Sequence, residues 1–109
     1  MEIVFRSTKL ARLFGSREAL VAAYGVPQAR KIMVRIAVLR AAANLGEVPA
    51  IPPDRCHGLS GARDGQYAVD LVHPHRLIFR PYAQDGRTPR AANRASVTSI
   101  EILGVEDYH

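Results

Sequence analysis

Two hydrophobic periods meet at a run of prolines, and this division constrains the fold more than any other feature. Up to Asn44 the apolar residues recur every three or four positions. After Pro53 they alternate every second position. A helical stripe cannot lie in a sheet and an alternating strand cannot make a helix, so each half has to bury its face against the other. In the first half, Glu2 to Arg6 reads as a short strand. Ser7 or Thr8 can cap a helix with Leu10, Leu13 and Phe14 on one face, closed by Gly15. Ser16 opens a second helix with Leu20, Val21 and Tyr24 inward and Gly25 past its end. Pro27 suits the first turn of the longest helix, running to about Asn44. Its expected buried stripe is Ala29, Ile32, Met33, Ile36, Leu39 and Ala43. Arg30, Lys31 and Arg35 lie off that stripe with no acid at i±3 or i±4. They form either a solvated face or one that meets RNA or an acidic partner. Gly46 closes the helix, and Pro49, Pro52 and Pro53 impose an extended crossing.

The second half reads as strands. Arg55 to Leu59 is a short one. Asp64-Gly65 marks a hairpin turn into Gln66 to Val72, where Tyr67, Val69 and Leu71 share a face. His73-Pro74-His75 turns the chain again. Arg76 to Tyr82 puts Leu77 and Phe79 on one face and Arg76, Ile78 and Arg80 on the other. Residues 83–96 are polar and carry Arg87, Arg90 and Arg94, a candidate mobile loop. Val97 to Leu103 is the last strand. The order β-α-α-α-β-β-β-β predicts an α+β fold, with N-terminal helices packed on an antiparallel sheet of four to five strands. At 109 residues the chain makes one domain, 1–109.

All but Lys9 and Lys31 of the 15 Lys and Arg residues are arginine, against 10 Asp and Glu. Arginine suits bidentate phosphate contacts and base stacking, which points to a nucleic acid. A GC-rich coding bias produces the same excess. The one cysteine, Cys56, excludes an internal disulfide and reads as a small buried apolar residue. No apolar run has the length of a membrane span, and the expected location is the cytoplasm. His73-x-His75 has no nearby Cys or acid to complete a metal set, so it reads as a hairpin-tip surface pair. No metal or cofactor is expected.

Chemistry-bearing residues gather at two places. Asp107-Tyr108-His109 directly follows the last strand, and His57 opens the run His57-Gly58-Leu59-Ser60-Gly61-Ala62-Arg63-Asp64-Gly65. Metal-free RNA cleavage needs a base for the 2′-OH, cations for the charge on the phosphate, and an acid for the leaving 5′-oxygen. Two histidines can divide the acid and base roles. Asp107 is either the base or the group that orients an imidazole. Arg63 and Arg76 can hold phosphate charge, and Tyr108 can stack on a base or donate its OH. Each residue also has a plainer role. His57 can hydrogen-bond backbone at a strand edge, Arg76 and Arg80 can pair with Asp70 or Glu101, and Tyr108 can anchor the tail by packing.

A His before Leu-x-Gly-x-Arg-x-Gly, then His75-Arg76-Leu77-Ile78-Phe79, then Asp107-Tyr108-His109, in this order, resembles the HigB group of RelE/ParE-type toxins. The resemblance covers nearly the whole chain. It implies a RelE-like fold and a toxin of a type II toxin–antitoxin module, an endoribonuclease (mRNA interferase) that cuts mRNA in the ribosomal A site. It implies His57, Asp107, Tyr108 and His109 as the catalytic set, with Arg63, Arg76 and Arg80 on RNA phosphate. The implied partners are a HigA-like helix-turn-helix antitoxin, the ribosome and its mRNA, and operator DNA only through the antitoxin. The chain departs from the pattern at Ser60, where relatives often carry Lys, and in the longer loop 83–96. The rival from another class is a non-catalytic protein of the same fold, either a gyrase-directed toxin of the ParE type or a degenerate toxin that binds an antitoxin or regulatory partner. ParE-type chains generally lack the His/Asp-Tyr-His set.

Overall fold

The computed structural model describes residues 1–83 and 93–107. Strand β1 (Glu2–Phe5) leads into helices α1 (Thr8–Phe14), α2 (Arg17–Tyr24) and α3 (Val26–Ala41). Strands β2 (His57–Gly58), β3 (Tyr67–Asp70), β4 (His75–Pro81) and β5 (Ser99–Asp107) follow. The expected element order and α+β class both hold. Ser7 Oγ accepts from the Leu10 N–H at 3.1 Å and Ser16 Oγ from the Ala19 N–H at 3.2 Å. Each satisfies a donor that a helix start leaves bare. Gly25, at φ +82°, turns the chain from α2 straight into α3. Helix α3 ends earlier than Asn44, because Ala42 is already extended.

The strand order is β1-β5-β4-β3-β2. Strands β2 to β5 form the expected antiparallel meander. Strand β1 instead runs parallel to β5, with Ile3 opposite Ile100 and Phe5 opposite Ile102, so the sheet is mixed rather than antiparallel. Alternation says which face a residue takes and nothing about the direction of its neighbour. One face of the sheet packs on the helices. Tyr67, Val69, Leu77, Phe79, Ile100 and Ile102 bury against Leu20, Ala29, Ile32 and Leu39.

Two side chains of α3 depart from the expected stripe. Met33 is 43% exposed, whereas Arg35 is 3% exposed. Arg35 Nε donates to the Asp70 carbonyl at 2.7 Å, Nη2 donates to the Pro53 carbonyl at 3.0 Å, and Nη1 lies 3.4 Å from Asp54 Oδ1. It is therefore a buried clasp between α3, the proline crossing and the end of β3, and it meets neither solvent nor RNA. Cys56 is buried as expected, and burial pushes its thiol up to about 11. The Arg94 charge opposes that rise and Asp54 adds to it.

Strand β5 runs past Leu103, where the sequence pattern stops. Ile78 pairs with Gly104 and Phe79 with Ile102, so Leu103 is the extra residue of a bulge. Gly104 sits at φ +147°, a conformation open to glycine and costly for other residues. An extra residue exchanges the faces of everything after it. Counted by plain alternation from Ile102, Asp107 would share the open face with Arg76. After the bulge Glu106 stands opposite Arg76, and Asp107 stands opposite His75.

Candidate functional site

The open face carries a row of charges of alternating sign. Asp70 stands opposite Arg76, and Arg76 opposite Glu106. Each acid receives an arginine from outside the row. Arg55 donates from Nε to Asp70 Oδ2 at 2.7 Å and from Nη2 to Oδ1 at 3.1 Å. Arg63 donates from Nη1 to Glu106 Oε1 at 2.6 Å and from Nη2 to Oε2, a fork-to-fork contact. The row thus reads Arg55, Asp70, Arg76, Glu106, Arg63. Because β5 lies two strands from β3, the 3-10 turn Gly61–Arg63 has to arch over the open face to reach Glu106. Beneath that arch Ala68 and Ile78 are fully buried, although they lie outside the helix-side cluster. The Arg63 hydrogen bonds hold the Glu106 carboxyl below the usual carboxylate range. Partial burial opposes this, and the charges of Arg63, Arg76 and Arg6 reinforce it. The same contact pushes the Arg63 guanidinium up.

At the end of the same strands, His75 Nε2 lies 2.6 Å from Asp107 Oδ1. A carboxylate accepts, so Nε2–H donates, and in the neutral ring Nδ1 keeps the lone pair. His75 and Arg76, with Arg55, Asp70 and His73, line a cavity of about 70 Å³. The expected hairpin-tip histidine His75 is therefore joined to a residue of the proposed site.

His57 is elsewhere. It pairs with Ala68, which pairs with Ile78, which pairs with Gly104. Three strand spacings, roughly 14 Å, separate β2 from β5. The meander does not bring His57 alongside Asp107, and their strands are not adjacent. The His57 Nδ1 is 2.7 Å from the Arg55 carbonyl, so Nδ1–H donates to it, and in the neutral ring Nε2 carries the lone pair. Arg80 Nε donates to Glu101 at 2.6 Å, the pairing open to it from the sequence. Tyr108 and His109 lie outside the described residues, as do residues 84–92 of the loop. Glu106 and His75 were not legible as site residues. His75 had one signal, its place directly before Arg76 at the head of an alternating strand. Glu106 had none without the bulge. Among the described residues no three His, Cys, Asp or Glu side chains gather to hold a metal, and no helix is long and apolar enough to cross a membrane.

No protein-family model matches the sequence, and no curated protein matches it. Solved structures do. The YoeB/ParE toxin from Agrobacterium tumefaciens superposes with a TM-score of 0.59 at 13% identity, over 100% of both chains. A chain of the YoeB-YefM complex from Staphylococcus aureus superposes with a TM-score of 0.57 at 15% identity, over 100% of this chain and 97% of that one. Three helices on a five-stranded mixed sheet are thus the fold that this chain shares with these solved YoeB/ParE toxins.

Proposed function

We propose that this chain is the toxin of a type II toxin–antitoxin module and a ribosome-dependent mRNA endoribonuclease of the HigB kind, acting in the cytoplasm. The observation that carries the reading is the imidazole–carboxylate pair His75–Asp107 at the end of the strands, where His75 lines a cavity with Arg76 of the open-face charge row, on a fold shared with solved YoeB/ParE toxins. Asp107 holds the His75 ring so that its free nitrogen can take the 2′-OH proton. The 2′-oxygen then attacks the adjacent phosphorus, Arg76, which lines the cavity with His75, stabilises the charge on the phosphoryl oxygens, Arg63 holds a neighbouring phosphate on the open face, and the 5′-oxygen leaves with a proton from His109. The products are a 2′,3′-cyclic phosphate and a 5′-hydroxyl. Tyr108 stacks on a base and turns the RNA toward in-line geometry. His57, on β2, meets the same RNA further along, and Arg80 contacts its backbone from β4.

The proposed protein partner is a HigA-like antitoxin, with operator DNA contacted only through it. Phe14, Leu20, Ile32, Met33, Ala37 and Arg40 line a groove of about 290 Å³ beside α3. Helix α3 contains no acid, and Arg30, Lys31 and Arg40 are exposed along it. An acidic amphipathic segment of the antitoxin fits that combination.

Induced expression tests the enzyme reading. The chain should arrest growth and leave new mRNA ends within translated codons. Asp107→Asn and His75→Gln should fold and cut at least about a hundredfold less, the range of a lost acid/base group. The rival, a non-catalytic toxin of the same fold, draws on the ParE part of the Agrobacterium protein's name. DNA breaks without mRNA ends would establish it, and normal growth with neither would indicate a degenerate toxin.

A further inference from the structure

We infer that Glu106 is an internal stand-in for an RNA phosphate, and that substrate binding exchanges it off the Arg63 guanidinium. The inference rests on the RNA-cleaving reading and adds a residue to it. A carboxylate and a phosphate present the same pair of oxygens to an arginine fork, so the group that fills the fork at rest marks where phosphate is received. Glu106 takes both Nη donors of Arg63. Its side chain is 38% exposed and that of Arg63 is 36% exposed, so solvent and an incoming strand reach the pair. Three arginines act on this one carboxylate: Arg63 by direct contact, Arg76 from the neighbouring strand, and Arg6 through its charge. That is a cationic setting suited to an anion of higher charge than a carboxylate. The arch of Gly61–Arg63 is tied across the sheet by this contact, so exchange of Glu106 for phosphate also moves the arch relative to β5. Glu106 is thus a positioning residue. It keeps Arg63 over the face between turnovers and lowers affinity for arbitrary anions, because each must compete with it.

The experiment measures binding of a short 2′-O-methyl RNA oligonucleotide, which lacks the attacking hydroxyl and cannot be cut. Glu106→Gln should bind it about two- to fivefold tighter, the scale of one exposed ion pair no longer competing. Its salt slope should equal that of the wild-type chain, because Arg63 meets one phosphate in both complexes, whereas Arg63→Gln should flatten the slope by about 0.7, one phosphate contact fewer. Adding Arg63→Gln should abolish the gain in affinity. Equal or weaker binding by folded Glu106→Gln would overturn the exchange. In the wild-type chain the Glu106 side-chain carboxyl carbon resonance should move toward the free-carboxylate position as the oligonucleotide is titrated. A resonance unmoved at saturation also overturns the exchange, whether or not the variant folds. Both readouts are independent of cutting. A wild-type chain that cuts mRNA with an unmoved Glu106 sinks the exchange alone, whereas exchange in a chain that cuts nothing sinks the enzyme reading alone.

Discussion

At the scale of single residues, partners decide function, and partners distant in sequence are invisible to local rules. Arg35 shows this best. The i±4 rule finds it no acid and leaves it on a solvated face or one that meets RNA or an acidic partner, yet it is buried on Asp54 and on carbonyls of the proline crossing and the end of β3. Arg35→Met should therefore cost about 3 kcal/mol or more in denaturant unfolding, because the Asp54 charge is left buried without compensation. Adding Asp54→Asn should restore part of that loss. Cys56, by contrast, was legible, since a lone cysteine is most often a small buried apolar residue, and it is buried. The histidines divide in the same way. His57 was recognisable from its motif, and its backbone bond at the strand edge was among the expected roles. The partner of His75 lies on another strand and had to await the register.

At the scale of elements, one irregularity in β5 sets which acid meets which base. The bulge at Leu103 turns Glu106 toward Arg63 and Asp107 toward His75. Gly104 makes it possible, with no atom within 4 Å of an added Cβ, so a substitution there is penalised by the backbone and not by crowding. Gly104→Ala should lower stability by about 1–2 kcal/mol in chemical denaturation. It should also weaken the Arg63–Glu106 contact, read as an upward shift of the Glu106 titration by NMR. An unchanged Glu106 titration in a folded Gly104→Ala chain would show that the bulge does not set the pairing. The strands and helices themselves were largely readable, because caps, prolines and periods are local. The end of β5 was not, because a bulge breaks the alternation used to find it.

At the scale of the molecule, the sheet has two working sides. The open face holds the charge row, and the helix side carries the groove along α3. Met33, expected in the core, instead lines that groove, so it belongs to a surface that a partner can cover. Met33→Glu should leave thermal stability within about 0.5 kcal/mol, as for an exposed site. It should weaken binding of the proposed HigA-like antitoxin at least about tenfold, the effect of a lost anchor residue. Unchanged binding would move the antitoxin surface elsewhere.

By itself the sequence determined the element order, the α+β class, the basic character and a shortlist of chemically able side chains. All of these follow from composition and from periods that act over a few residues. Only the tertiary structure decided the parallel pairing of β1, the burial of Arg35, the separation of His57 from Asp107 and the new pairs Arg63–Glu106 and His75–Asp107. Those depend on strand direction and register, and a single extra residue in one strand exchanges the faces of all the side chains that follow it.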